Sequence, residues 1–306
     1  MTSGVVSALS GNYSRGHFTV TFAILASVAF LPAQDQRSVF RSESEAVSVP
    51  VSVRTVQKAV AGLKASDFEL KDNGVVQSIE SFSVETLPID VTLLLDLSRS
   101  VEGPRLDRLT YSVGETALLL HADDRFRVIG MQHVLREVFP FQPGGSKPNV
   151  ESLKAYGGTS LYDGLAAAMM RAAEPDRRQL IVAYTDGQDT ISILSIDTVR
   201  EVAGFADAVV QIVVPTMGGP RSTGIETVPG AALLSDLAAR TGGQLFPMNI
   251  AAPITDAFKS AIDDFRTSYV LRFTPKGVTR AGWHDLSVRV TTGTYEVRAR
   301  KGYSGG

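Results

Sequence analysis

Residues 91–100 read Val91-Thr92-Leu93-Leu94-Leu95-Asp96-Leu97-Ser98-Arg99-Ser100. The first five form a nearly unbroken apolar run without alternation, the pattern of a strand covered on both faces. A carboxylate follows at once, then hydroxyls at every second position. Similar apolar runs recur at Phe126–Met131, Leu180–Tyr184 and Val209–Val214, the first and last each broken by one polar residue, Arg127 and Gln211. Other stretches carry apolar residues three and four apart: Arg105–His121, Leu161–Ala173, Ile196–Phe205, Ala231–Thr241 and Ile254–Arg266. In the first, Leu106, Leu109, Val113, Thr116, Ala117 and Leu120 make one stripe, which predicts an amphipathic helix. Strands alternating with helices predict an α/β fold with a doubly wound, mostly parallel sheet and helices on both of its faces. Val134–Phe139 follows the second strand too closely for a crossover helix and is expected as one antiparallel edge strand.

The flanks have a different period. In Ala46–Val53, Val47, Val49, Val51 and Val53 alternate with Ser48, Pro50 and Ser52, as in a half-buried strand. Pro50 has no N–H to donate, which predicts a sheet edge. Phe68–Leu70 and Val75–Val84 flank Asp72-Asn73-Gly74, and Asn-Gly favours a tight hairpin. Tyr269–Phe273, Leu286–Val290 and Tyr295–Ala299 also alternate, with Thr292-Gly293 expected as a turn between the last two. The expected organisation is a signal peptide at 1–33, an N-terminal β segment at 34–88, a Rossmann-like α/β domain at 89–266 and a C-terminal β segment at 267–306. The two β segments are expected to combine into a small β module beside the α/β domain.

Of the 306 residues, 44% are hydrophobic and 20% charged, with a formal charge of −2. Those values fit a folded globular protein and give no reason to expect nucleic acid or an anionic membrane as partner. The chain has no cysteine, so disulfides, thiolate metal sites, cysteine nucleophiles and a lipid-modified cysteine anchor are excluded. Phe18–Leu31 is an uncharged apolar run of signal-peptide length, preceded by Arg15 and His17 and followed by the small residue Ala33 before Gln34. It predicts export to the periplasm or the extracellular space with cleavage after Ala33. A signal anchor retained in the membrane and a buried element of the fold are the alternatives.

Three loops belong together. Asp96-Leu97-Ser98-Arg99-Ser100 ends the first buried strand, Gly157-Gly158-Thr159-Ser160 leads into a helix, and Thr185-Asp186-Gly187-Gln188-Asp189 ends another buried strand. In open parallel sheets, ligands bind beyond the carboxyl ends of strands, where the winding direction reverses. All candidate donors are oxygens, which suits a hard cation such as Mg²⁺. With few carboxylates, such an ion stays electrophilic and favours an acidic group from outside.

Asp96-x-Ser98-x-Ser100 after an apolar strand, a later Gly-Gly-Thr159 and a later Thr-Asp186-Gly resemble the metal-ion-dependent adhesion site of von Willebrand factor A domains. The resemblance covers roughly Ile89 to Arg266. It implies Ser98, Ser100 and Thr159 as direct metal ligands, and Asp96 and Asp186 as direct or water-mediated ones. Mg²⁺ is the implied cofactor, with Mn²⁺ or Ca²⁺ as substitutes. The implied partner is a protein presenting an Asp or Glu carboxylate, with no nucleic acid and no small-molecule substrate. The chain is also similar to exported bacterial von Willebrand factor A-related proteins with a short preceding β segment, which Gly62-Leu63, Asp67-Phe68 and Asn73-Gly74 match loosely. Arg99 stands where many members carry glycine, which leaves the ligand set intact and alters what docks above it.

An enzyme reading is weaker. Haloacid-dehalogenase-type phosphatases also end a first strand in aspartate, but they carry a second aspartate two residues on as proton donor, and here that place is Ser98. No Gly-x-x-x-x-Gly-Lys loop is present. His17, His121, His133 and His284 show no ligand or triad spacing. Asp163 is expected to serve a first helical turn and Asp189 to orient its own loop. Trp283 is expected to pack inside the β module, and Arg298, Arg300 and Lys301 to form a solvated face. The alternative functions are a structural part of an envelope assembly with a stabilising metal and, further off, a Mg²⁺-dependent phosphatase.

Overall fold

The structure, a computed structural model, describes residues 46–306 except 56–57, 85–86, 151–152, 173, 175 and 218–223. The expected signal region lies outside the described residues. Alternation builds the first strand: β1 (Val47–Arg54) buries Val49, Val51 and Val53 on one side. Ser52, on the opposite side, is buried too. β2 (Phe68–Asp72) and β3 (Val75–Gln77) pair as a hairpin across Asn73 and Gly74, both at positive φ (46° and 81°). That conformation matches the right-handed twist of the flanking strands. β4 (Ser81–Val84) then leaves for a different sheet.

The central sheet runs β10-β9-β8-β5-β6-β7. β5 (Ile89–Asp96), β6 (Arg125–Met131), β8 (Arg178–Tyr184), β9 (Val209–Thr216) and β10 (Leu245–Asn249) are parallel. β7 (Arg136–Pro143) is the antiparallel edge, starting later and running further than its apolar pattern suggests. α1 (Pro104–Leu119), α2 (Leu161–Met169), α3 (Ile196–Phe205), α4 (Ala231–Thr241) and α5 (Ile254–Arg266) cover the sheet. Leu93 and Leu95 of β5 pack with α1 and α5, whereas Leu94 packs with α2, α3 and α4. Two covered faces explain why the strand lacks alternation. α2 stops short of the expected Ala173, because Arg171 turns away to ion-pair with Asp90 at 2.9 Å.

β11 (Tyr269–Phe273), β12 (Gly282–Val290), β13 (Glu296–Ala299) and β14 (Gly302–Gly305) complete two further sheets, β13-β1-β11-β4 and β14-β12-β2-β3. Each sheet mixes strands from both ends of the chain. Between them lies a core of Val49, Val51, Leu70, Leu271 and Phe273, with the Phe68, Phe82 and Tyr269 rings 5.4–5.6 Å apart.

Four expectations about these flanks change. β1 is an interior strand, not an edge: Pro50 pairs in register with Val270, while pairing to β13 begins only at Val51. The proline thus sits just beyond the end of the second ladder, where its missing N–H breaks no bond on that side. Thr292-Gly293 does not close a hairpin, since β12 pairs with β2 and β14 but β13 pairs with β1. The chain crosses between sheets there. Trp283 lies outside the β core, stacked at 4.7 Å on the Arg240 guanidinium of α4. Arg300 is no solvated residue. It is only 6% exposed, and its Nε donates to the Gly302 carbonyl at 3.0 Å.

Candidate metal centre

The sheet places β5 at its centre. The chain passes from β5 to β6 on one side and later returns to β8 on the other, so the winding reverses between β5 and β8. The crevice at that reversal lies beyond Asp96 and Tyr184, the last residues of the two strands.

Asp96 is 1% exposed, and its Oδ1 accepts the backbone N–H of Ser98 at 2.9 Å. This local bond is an Asx turn; it bends the chain and brings Ser98 Oγ to 2.9 Å from Ser100 Oγ. Ser98 precedes a 3₁₀ turn at Arg99–Val101, but its side chain makes no capping bond there. Its hydroxyl is therefore turned toward Ser100 and Asp96 instead of the helix end. The second loop is strapped to the first by Arg99 N–H donating to Gly157 O at 3.1 Å and Tyr156 N–H donating to Leu97 O at 3.0 Å. Gly157 has φ +72°, and a Cβ there would come within 3.0 Å of His133. Thr159 Oγ1 ends 3.3 and 3.4 Å from the two Asp96 oxygens.

The third loop holds Thr159 in turn. Thr190 Oγ1 accepts Thr159 N–H at 2.8 Å, and Thr190 and Ile191 N–H donate to Thr159 O at 2.9 and 3.2 Å. Asp189 Oδ1 accepts the Leu161 N–H at 2.9 Å, at the start of α2. Asp163 accepts from Ile193 and Leu194 N–H. These two carboxylates tie loops together and are committed away from the crevice. Asp186 is half-buried and lines, with Asp96, Ser100, Arg105 and Tyr184, a cavity of about 20 Å³, enough for one small occupant. Direct contacts thus join Asp96, Ser98, Ser100 and Thr159, and the shared cavity joins Asp186 to Asp96 and Ser100.

Burial pushes the Asp96 carboxyl up from its ordinary pKa, against the Ser98 bonds, and the negative charge of Asp186 adds to the rise. Burial likewise raises the Tyr184 hydroxyl. Among the described residues, neither Asp96 nor Asp186 has a Lys or Arg within ion-pair distance. No group of three or more His, Asp or Glu side chains gathers there as a metal-holding cluster either. The donor set, three hydroxyls and two carboxylates carrying unneutralised negative charge, fits a hard divalent cation.

Sequence patterns pass over three supporting residues. Thr190 pins Thr159, Gln132 Nε2 donates to Leu97 O at 3.2 Å and also to Lys154 O, and Arg105 borders the cavity. None of them lies in a motif loop's ligand positions, and the long-range contacts that give them a role have no local signature.

No family model matches the chain. It is 30% identical over 146 residues to an uncharacterised protein of Synechocystis, covering 46% of this chain and 31% of that one. It is 21% identical over 212 residues to the pig inter-alpha-trypsin inhibitor heavy chain H2, covering 64% and 23%. The chain thus spans under a third of the length of these relatives. Among solved structures, a von Willebrand factor type A protein of Catenulispora acidiphila matches with TM-score 0.46 at 13% identity, covering 78% of this chain and 72% of that one. The ArnB paralog VWA2 of Sulfolobus acidocaldarius matches with TM-score 0.47 at 9% identity, covering 84% and 75%. With its mostly parallel strand order and the three loops that meet at the reversal of winding, the α/β part of this chain is a doubly wound, Rossmann-like fold, similar to these von Willebrand factor A-type structures.

Proposed function

We propose that this rim holds one divalent cation, Mg²⁺ with Mn²⁺ or Ca²⁺ as substitutes, and that the protein uses it to grip an acidic side chain of a partner protein. Ser98, Ser100 and Thr159 would hold the ion, with Asp96 and Asp186 direct or through water. The ion supplies an electrophilic point that a carboxylate can complete. The observation that carries the reading is the clustering of hydroxyls at Asp96, with the Ser98 side chain making no helix cap. On this reading the chain binds and does not catalyse, and it acts after export. Among the described residues, no helix is long and apolar enough to cross a membrane.

Titration calorimetry with Mg²⁺ and with Mn²⁺ tests the site. Wild-type protein should give saturable heat, and Ser98→Ala should weaken the affinity by tenfold or more on the order of a lost ligand, with an unchanged circular dichroism spectrum. Absence of heat with both ions ends the proposal. Partner binding is then assayed in envelope extract, where a specific partner should be retained with Mg²⁺ and released by chelator.

A further inference from the structure

At the opposite end of the sheet from the metal rim, a second cavity opens where the starts of β8 and β9 meet the outer face of β1 and β11. Its volume is about 340 Å³, within the range of roughly 300–1,000 Å³ typical of small-molecule sites. Apolar side chains of Pro50, Val209, Phe265 and Val270 contribute to its lining. The guanidiniums of Arg177, Arg178, Arg272 and Arg300 line it too, together with the carboxylates of Glu174 and Asp207.

Arg300 is the informative residue. It is 94% buried by its 6% exposure, and its guanidinium donates to the carbonyls of Gly302 at 3.0 Å and Gly204 at 3.4 Å. Among the described residues no carboxylate lies within ion-pair distance of it. A buried charge without a counter-charge is costly, and here burial holds the Arg300 pKa below its ordinary value, opposed by the nearby Asp207. Arg177 is differently placed, since it is already ion-paired to Asp90. A guanidinium and apolar side chains lining one cavity suit an anion that carries a short hydrocarbon body.

We infer that this cavity is a binding site for a small organic anion, with its carboxylate or phosphate head at Arg300 and its apolar part against Val209, Phe265 and Val270. The site is separate from the metal rim and does not depend on it. Titration of the whole chain with hexanoate, and with hexanol as the uncharged control, tests it. Hexanoate should give saturable binding and hexanol none. Asp207→Asn, at an exposed position, removes an opposing charge and should tighten hexanoate binding by about threefold, the scale of an exposed charge interaction. Ala46→Trp, at the exposed cavity edge, fills the entrance and should abolish binding without disturbing the fold. Absence of hexanoate binding overturns the inference. So does hexanol binding as well as hexanoate, or unchanged hexanoate binding in Ala46→Trp.

Discussion

Asp90 and Asp96 lie at the two ends of β5, and their surroundings give them opposite tasks. Asp96 meets hydroxyls and a second carboxylate. Asp90, 2% exposed, meets three guanidiniums: Arg125 and Arg171 at 2.9 Å each, and Arg177. Burial alone would raise the Asp90 carboxyl, but the hydrogen bonds of Arg125 and Arg177 outweigh it and hold the pKa below the ordinary 3.8. The unfolded chain therefore binds this proton more readily than the folded one. The stabilisation is complete above about pH 4 and is lost as pH falls through the lower, folded-state value. Asp90→Asn leaves three cations around a neutral group and should cost about 3 kcal/mol at neutral pH, the lower part of the range for a broken buried pair because the arginines are partly solvated. Urea unfolding at pH 7 and pH 3 checks this, and the wild-type advantage should shrink at pH 3. An equal loss at both pH values would mean that the charge is not the cause. At this scale the sequence was legible only where function imposes a local pattern. Asp96, Ser98 and Ser100 announce themselves by spacing, whereas Asp90 owes its partners to residues 35, 81 and 87 positions away.

Elements were easiest to read where one physical signal dominates. α3, α4 and α5 fall where their apolar periodicity predicts, and β5 and β8 where unbroken apolar runs do. β10 escaped because Leu245-Phe246-Pro247-Met248-Asn249 has a single buried residue and a proline, both tolerated at an edge. The end of β12 misled for a different reason: alternation reveals which face a strand buries, not which strand it pairs with. Two glycines make the local rules testable with opposite signs. Gly74 sits in the β2–β3 turn at φ +81°, and a Cβ there would meet nothing within 4 Å, so Gly74→Ala suffers backbone strain alone. It should lose about 1 kcal/mol. Gly114 lies inside α1 at ordinary φ, also with nothing within 4 Å of a Cβ, so Gly114→Ala should gain about 0.5–1 kcal/mol by helix propensity. Denaturation midpoints with unchanged slopes would carry both results, and two changes of the same sign would refute the pair.

At the scale of the whole molecule, the β strands from both chain ends close against the α/β part through Asp264. This α5 residue is 5% exposed and accepts from Ser52 Oγ at 3.1 Å, Arg54 at 3.2 Å, Gln211 Nε2 at 3.2 Å and Gln244 Nε2 at 3.4 Å. It thereby ties α5 to β1 and to β9 at once. A second seam is independent of it: Lys301 N–H donates to Ala239 O at 3.0 Å, and Arg178 donates to Ser268 Oγ at 2.7 Å. Chain order alone could place strands before and after the α/β segment, but not name the helix residue that receives them. Because both seams cross between the same two parts, unfolding should be a single transition. Trp283, the only tryptophan, reports the β side through its fluorescence, and far-UV circular dichroism reports the helices. Asp264→Ala leaves buried donors on both sides without their acceptor and should cost about 3 kcal/mol. The Lys301 and Arg178 contacts survive that change, so fluorescence and dichroism should shift together. A shift of the Trp283 transition alone would mean that the β strands can detach while the parallel sheet stays folded, and the two parts would then be separable.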